Sequence, residues 1–313
     1  MKLGHLVHAV REAADRRPEE LRFFDHVRAG RIGRGVRLTC RGKDDGGGAQ
    51  VHAVISALAF AHATGLGYSH TPFRTIAHGD GAPDWEGRWE RFFALGEGEA
   101  AVDDARDGLV PLGDFLADPS LWRAADIVVH RSHYQNFCDR FPRAYDPILP
   151  ALRRKYALAG KSGLPSHRLA DGVTIAAHLR RGDVHETHAD RFTGDSVILR
   201  TIEGAIAACG ALGRSHRVNL YSEGEPAAFA AFVEAGCQLH LDEDVFATID
   251  NLVRADILIM AKSSFSYVPA LLGDRVKLYE PFRHPPLAGW IARDARGDFD
   301  RDALIRALEA RRP

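Results

Sequence analysis

The chain has 313 residues, 45% hydrophobic and 27% charged, with 41 Lys and Arg against 42 Asp and Glu and a formal net charge of -1. This length predicts about two domains, and the composition excludes collagen, long disorder and a disulfide scaffold. Balanced charge gives no global positive field for a nucleic-acid backbone, so no nucleic-acid partner is expected.

In chain order, residues 1–20 alternate apolar residues with His, Arg and Glu and lack the apolar core of a signal peptide. Leu3, Leu6, Val7 and Val10 form a stripe that reads as a packed surface helix. Residues 36–40 predict a strand between Gly35 and Gly42. After the sharp loop Asp44-Asp45-Gly46-Gly47-Gly48, residues 49–64 predict a helix stopped by Gly65 and Gly67. Residues 66–73 predict a second strand, which completes a strand, glycine loop, helix, strand unit. Residues 85–95 predict a helix that turns Trp85, Trp89, Phe92 and Phe93 toward a core. A strand over 126–130 and a helix over 147–156 follow. Turn formers without periodicity make 161–166 the linker.

A second set then begins. Strands are predicted over 173–178, 217–221, 238–241, 257–260 and 276–279, with helices over 196–210, 226–235, 249–254, 267–272 and 300–310. Alternating strands and helices predict an α/β protein with parallel sheets in two Rossmann-like halves, residues 1–160 and 161–313. The ligand crevice is then expected at the carboxyl ends of the strands. No run of about 18 apolar residues is present, so no transmembrane segment is expected. Cys40, Cys138, Cys209 and Cys237 stand far apart with no CxxC pair, which predicts neither a zinc nor a redox site and suits a reducing cytoplasm.

Four segments carry chemistry. Residues 176–184 run from an apolar strand into His178-Leu179-Arg180-Arg181-Gly182-Asp183. Two guanidiniums at a strand end match paired phosphate oxygens and can stabilise a departing diphosphate. Asp183 is expected to hold one arginine and leave the other for ligand, although an Arg–Asp pair at a strand end also forms without any ligand. Next, residues 256–267 lead a strand into Lys262-Ser263-Ser264-Phe265 and a helix, whose capped start faces an anion or is merely capped. Third, Gly46-Gly47-Gly48-Ala49-Gln50 precedes a helix and permits close approach to phosphate or sugar, or is a flexible turn. It is neither GxxxxGK[ST] nor GxGxxG, which excludes the P-loop and the standard dinucleotide site. Fourth, Ser222-Glu223-Gly224-Glu225 puts carboxylates at another strand end, where solvated helix-start acids are also common.

In order and spacing these segments resemble the fucosyltransferases that use GDP-fucose, the α-1,2, α-1,6 and protein O-fucosyltransferases. The α-1,2 type shows GGxGNQ, HxRRGD, a strand ending in Ser-Asp-Asp, and SSFSWW. Here Ala49 stands for the family Asn, Glu223 for an Asp, and Tyr267-Val268 for the two Trp. The resemblance spans residues 45 to 272. It implies a GT-B architecture, two Rossmann-like domains facing across a cleft, with an acceptor-side N-terminal domain and a nucleotide-sugar-binding C-terminal one. It also implies an inverting, metal-independent transfer of fucose or a related deoxyhexose to a glycan hydroxyl. The GDP-sugar is then a substrate, and no resident cofactor or metal is implied.

On that model Arg180 contacts the donor β-phosphate and acts in catalysis, while His178 and Asp183 shape the nucleotide pocket. Gly47, Gly48, Gln50, Ser222, Glu223, Ser263, Ser264 and Phe265 complete the donor site. Asp250 lies near the position where the family holds guanine with an acid. The base for the acceptor hydroxyl is expected after the motif, at Glu186, with Asp190 second. His185-Glu186-Thr187-His188 is not HExxH, and no metal site is read there. His130, Arg131, His133 and Tyr134 line the acceptor side or serve the fold. A transferase using another nucleotide sugar, and a binding protein without catalysis, are the alternative readings.

Overall fold

The structure, a computed structural model, describes residues 17–79, 82–184 and 190–310. The stripe of Leu3, Leu6, Val7 and Val10 lies outside them. Contacts divide the chain into two compact units between Gly160 and Lys161. The first unit holds strands β1 (Arg37–Cys40), β2 (Gly67–His70), β3 (Ala100–Ala101), β4 (Gly108–Pro111) and β5 (Ile127–Arg131) in the order β3-β2-β1-β5-β4. The second holds β6 (Val173–His178), β7 (His216–Ser222), β8 (Gln238–Leu241), β9 (Ile257–Ile259), β10 (Val276–Tyr279) and β11 (Ile291–Ala292) in the order β11-β10-β9-β6-β7-β8. All pairings in both sheets are parallel. The α/β class with two parallel sheets is therefore the class expected from the sequence.

Parallel strands are covered on both faces and read as apolar runs. In β6 all six residues are buried. Val173, Ile175 and Ala177 face the helices Asp195–Ala211 and Arg301–Glu309 in one core with Ile198, Ile202, Leu304 and Leu308. Alternation then turns Thr174, Ala176 and His178 to the opposite face. Helices Val245–Arg254 and Ser264–Leu272 pack against one another. Both begin earlier than the apolar pattern indicates, because Asp244 and Ser263 cap them. Asp244 accepts the N–H groups of Phe246 and Ala247, and Ser263 accepts that of Phe265.

In the first unit, helix Gly47–Thr64 is buried along most of its length, and Trp89, Phe92 and Phe93 of helix Trp85–Phe93 are core as the aromatic stripe predicts, while Trp85 at its start is only half-buried. Strand β2 ends at His70 instead of residue 73, because its edge turns into a loop that lines a cavity of this unit. The helix expected over 226–235 breaks into a 3₁₀ turn, Pro226–Phe229, and a short helix, Ala230–Glu234. Helices Glu19–Arg28, Leu112–Ala117 and Gln135–Arg140 and strands β3, β4 and β11 were not legible. No described helix is long and apolar enough to cross a membrane.

Candidate functional site

In the second unit β6 comes first in sequence. The chain adds β7 and β8 on one side of it and β9, β10 and β11 on the other. The connections thus depart in opposite directions from β6 and β9, which leaves a crevice beyond their carboxyl ends. Ala177 pairs with Ile259, so His178 ends one wall and Met260 the other. The two strongest sequence segments, residues 178–183 and 261–265, therefore meet at this switch point.

His178 is the last residue of β6 and is 7% exposed. Its ring centroid lies 5.1 Å from that of Phe265. Burial, aided by the Arg180 charge, pushes its pKa down to about 3. The imidazole is neutral, and its Nδ1 is buried without a hydrogen-bond partner. On the facing wall Ser264 Oγ is likewise buried and unpartnered, with the residue 6% exposed. Ser266 Oγ donates to Ala261 O at 3.0 Å and accepts the Ala261 N–H at 3.1 Å, which pins the turn. These two orphans lie beside the amino end of a nine-residue helix, an end that favours anions.

Neither arginine is left over. Arg180 grips Asp183 as a fork, Nε to Oδ1 at 3.1 Å and a terminal nitrogen to Oδ2 at 2.6 Å, and this holds the Asp183 carboxyl below its ordinary range. Arg181 turns away to Asp195, donates to Thr193 O at 3.1 Å and lies 4.5 Å above the Phe192 ring. Asp195 opens the next helix and supplies the second carboxylate. Gly182 has φ +64°, and a Cβ there would strike the Glu223 carboxylate. That acid therefore lies over the turn. Ser222 Oγ donates to Leu179 O at 3.0 Å, which ties the end of β7 to the same turn.

Other expected residues fall elsewhere. Asp250 is buried in helix Val245–Arg254, where it pairs with Arg254 at 2.7 Å. That helix returns from β8 to β9, so Asp244 stands at the carboxyl edge and Asp250 about 8–9 Å farther down. Gly47 and Gly48 form the first helical turn in the other unit, and a Cβ on Gly47 would collide with Trp89. Gln50 donates from Nε2 to Asp45 O at 2.7 Å and to Thr75 O at 2.6 Å, which locks two loops together. Glu186, His185 and His188 lie outside the described residues. Asp190 is exposed, 3.9 Å from Arg191.

The first unit carries a cavity of about 320 Å³ at the carboxyl ends of β1 and β2, lined in part by Arg41, Lys43, Thr71, Phe73 and Arg74. Arg41 and Arg74 share Asp104 at 2.7 Å each, and Lys43 holds Asp45 at 2.5 Å. Of the candidates after β5, Arg131 pairs with Glu19 and Glu20, and Tyr134 is fully buried and donates to Thr39 O at 3.3 Å. Both serve the fold. His130 and His133 are half-buried, and burial lowers the His130 pKa.

Among the described residues His167, His240 and Glu243 bring possible ligand atoms within 4.8 Å. The two imidazoles, however, are stacked at 3.8 Å and 15°. Lone pairs in near-parallel planes cannot converge on one ion. The ring nitrogens instead meet Tyr221 Oη at 3.0 Å, Glu243 at 2.8 Å and Asn219 Oδ1 at 3.1 Å. Lys262, Thr193, Glu280 and Arg293 were not among the expected site residues, yet they gather at the same carboxyl edge.

His178 gives a pH test. Below pH 6.5 the unfolded chain takes up a proton here that the folded chain refuses until about pH 3. The contribution is complete above pH 6.5 and falls as pH drops, by up to about 1.4 kcal/mol per unit. His178→Asn is expected to flatten the fall in melting temperature between about pH 6 and about pH 4. Parallel profiles for the two proteins would show that the folded imidazole titrates normally.

No family model matches the chain, and no curated protein matches it. Among solved structures it is similar to a crystal structure of POFUT1 in complex with GDP, at 13% identity and a TM-score of 0.35, over 77% of this chain and 96% of that one. It is also similar to E. coli heptosyltransferase WaaC with ADP-2-deoxy-2-fluoro heptose, at 13% identity and a TM-score of 0.40, over 88% and 99%. Both TM-scores lie below 0.5, and neither likeness assigns any chemistry to this chain.

Proposed function

We propose that the chain is a glycosyltransferase that moves a sugar from a nucleoside diphosphate to a hydroxyl of a glycan. The observation that carries this reading is the meeting of residues 178–183 with residues 261–265 at a switch point where His178 Nδ1 and Ser264 Oγ lack partners. The guest that suits it is a diphosphate. The positive amino end of helix Ser264–Leu272 favours an anion, a neutral His178 N–H offers a donor, and the Arg180 guanidinium meets the charge that grows on the leaving group. The resemblance in the motifs supports GDP as the nucleotide, fucose or a related deoxyhexose as the sugar, a GT-B arrangement and inversion. Glu186 is the proposed base. The cavity in the first unit, with charge pairs for hydroxyls and Phe73 for a sugar face, is the proposed acceptor pocket.

GDP is expected to raise the melting temperature where UDP does not. A hundredfold excess over Kd adds about 2.7 kcal/mol. Equal stabilisation by UDP would remove the guanine assignment. One observation favours a different nucleotide: Asp250, the expected guanine partner, is spent on Arg254. A melting panel of GDP, ADP, UDP and CDP decides between these, and release of the free nucleotide from its sugar conjugate separates an enzyme from a binding protein. Turnover is expected to survive EDTA, because the Arg180 charge and the positive amino end of helix Ser264–Leu272 do the work that a metal does elsewhere. Loss of turnover in chelator, restored by magnesium or manganese, would refute the metal-free mechanism.

A further inference from the structure

We infer that the cavity of the first unit takes an acidic sugar, one that carries a carboxylate or a phosphate, and that Arg41 and Arg74 bind its anionic group. This rests on the acceptor reading of that cavity and names the class of acceptor.

Three cations reach the cavity wall from two loops. Arg41 and Lys43 follow β1, and Arg74 follows β2. Arg41 gives Asp104 one terminal nitrogen at 2.7 Å and the other at 3.4 Å, and Arg74 gives the same carboxylate one nitrogen at 2.7 Å. The two guanidiniums, Arg74 foremost, hold the Asp104 carboxyl below its ordinary range. Two permanent cations thus share one anion, and one positive charge is left over. Lys43 is matched separately, by Asp45 at 2.5 Å. Asp44, the acid on the wall, is exposed and its charge is weakened by water, whereas Arg41 and Lys43 are only 24% and 22% exposed.

The loops that carry these cations are held in place. Gln50 bonds both Asp45 O and Thr75 O, the Ala77 N–H donates to Asp45 O at 3.2 Å, and the Thr39 and Thr71 hydroxyls meet at 2.8 Å. Glu90 accepts the Phe73 N–H at 2.6 Å and meets His70 Nε2 at 3.0 Å, which fixes the loop under Phe73. Guanidinium and ammonium groups donate and never accept. Ionised carboxylate and phosphate oxygens accept, and a guanidinium fork matches them in pairs. The hydroxyls of a neutral sugar make no use of the surplus charge. Phe73 gives the apolar face of the same sugar a ring to lie on.

The test is an NMR titration of the full chain with glucuronic acid, glucose 6-phosphate, glucose and inorganic phosphate, with GDP alongside. Both acidic sugars are expected to bind at least about 10-fold more tightly than glucose, and the tighter of the two identifies the anionic group. Arg74→Gln should weaken the acidic sugars by about 10-fold and leave glucose and GDP unchanged. Arg74 is 60% exposed, so its loss spares the fold, and melting curves check this. Asp104→Asn, which leaves both guanidiniums to the guest, should tighten the acidic sugars by about 2-fold to 5-fold, a gain that a merely structural Asp104 would not give. Acidic sugars that bind no better than glucose, or that ignore Arg74→Gln, would overturn the acidic acceptor, and GDP binding would then leave the transferase reading standing. Inorganic phosphate that binds as tightly as glucose 6-phosphate would overturn the sugar part of the proposal. If the acidic sugars bind as expected and GDP does not, the cavity keeps its acidic ligand and the transferase reading falls.

Discussion

Arg180→Ala is expected to slow sugar transfer by about 100-fold to 1000-fold and to leave the fold intact. Removing one preorganised stabiliser of developing charge typically has this effect. The fold survives because the Arg180–Asp183 pair is partly exposed, 26% and 53%, and such pairs add little stability. Arg180→Lys should be nearly as slow. A lysine keeps the charge but cannot make the two-pronged contact that Asp183 now imposes on the guanidinium. Arg181 is the internal control. Its contacts are Asp195, the Thr193 carbonyl and the Phe192 ring, so Arg181→Ala should lower the melting temperature more than the rate. Initial rates at saturating donor and melting curves for the three variants check this. Turnover of Arg180→Ala within a few-fold of wild type would remove the phosphate role.

Arg293→Met is expected to have the largest effect on stability, a loss of about 3–5 kcal/mol, because it leaves Glu280 buried against a single, more distant cation. For a unit of this size that is a fall of roughly 6–20 °C in melting temperature. The second substitution removes the buried carboxylate that has lost its close partner, so Arg293→Met with Glu280→Gln should melt above Arg293→Met alone. Thermal and urea unfolding check both variants. A second substitution that lowers stability further would mean that Glu280 is held mainly by Lys262 and Thr193.

The inner strands β6, β9 and β10 of the second unit were legible in the sequence because all their residues are buried, and such strands read as largely apolar runs. Strands β6, β8 and β10 begin and end where expected. The edge strands β3, β4 and β11 carry no such signal. They are short and partly exposed, and their existence depends on neighbours distant in sequence. Helix Glu19–Arg28 was hidden for another reason. It buries Glu20, Arg22 and His26, which an apolar pattern counts as surface. At the site, the arginine and serine segments were legible because each follows a strand directly. Arg293 was not, since nothing near it in sequence announces that it will meet Glu280. Gly47 was read as room for a ligand, and the room is taken by Trp89.

The switch point also sets an order of events. The crevice exists only once β6 lies beside β9, and that ladder joins Ile175 to Ile257 across the two intervening strands and three helices. Strands β6, β7 and β8 follow one another and can zip up locally. The β6–β9 ladder must close a far longer loop before any contact repays the lost chain entropy. A nascent chain released before residue 257 would carry the arginine motif on a half-sheet with nothing opposite it. The crevice is thus among the last features of the unit to form, and a ligand bound across it would hold closed the one seam that the chain finds hardest to close by itself.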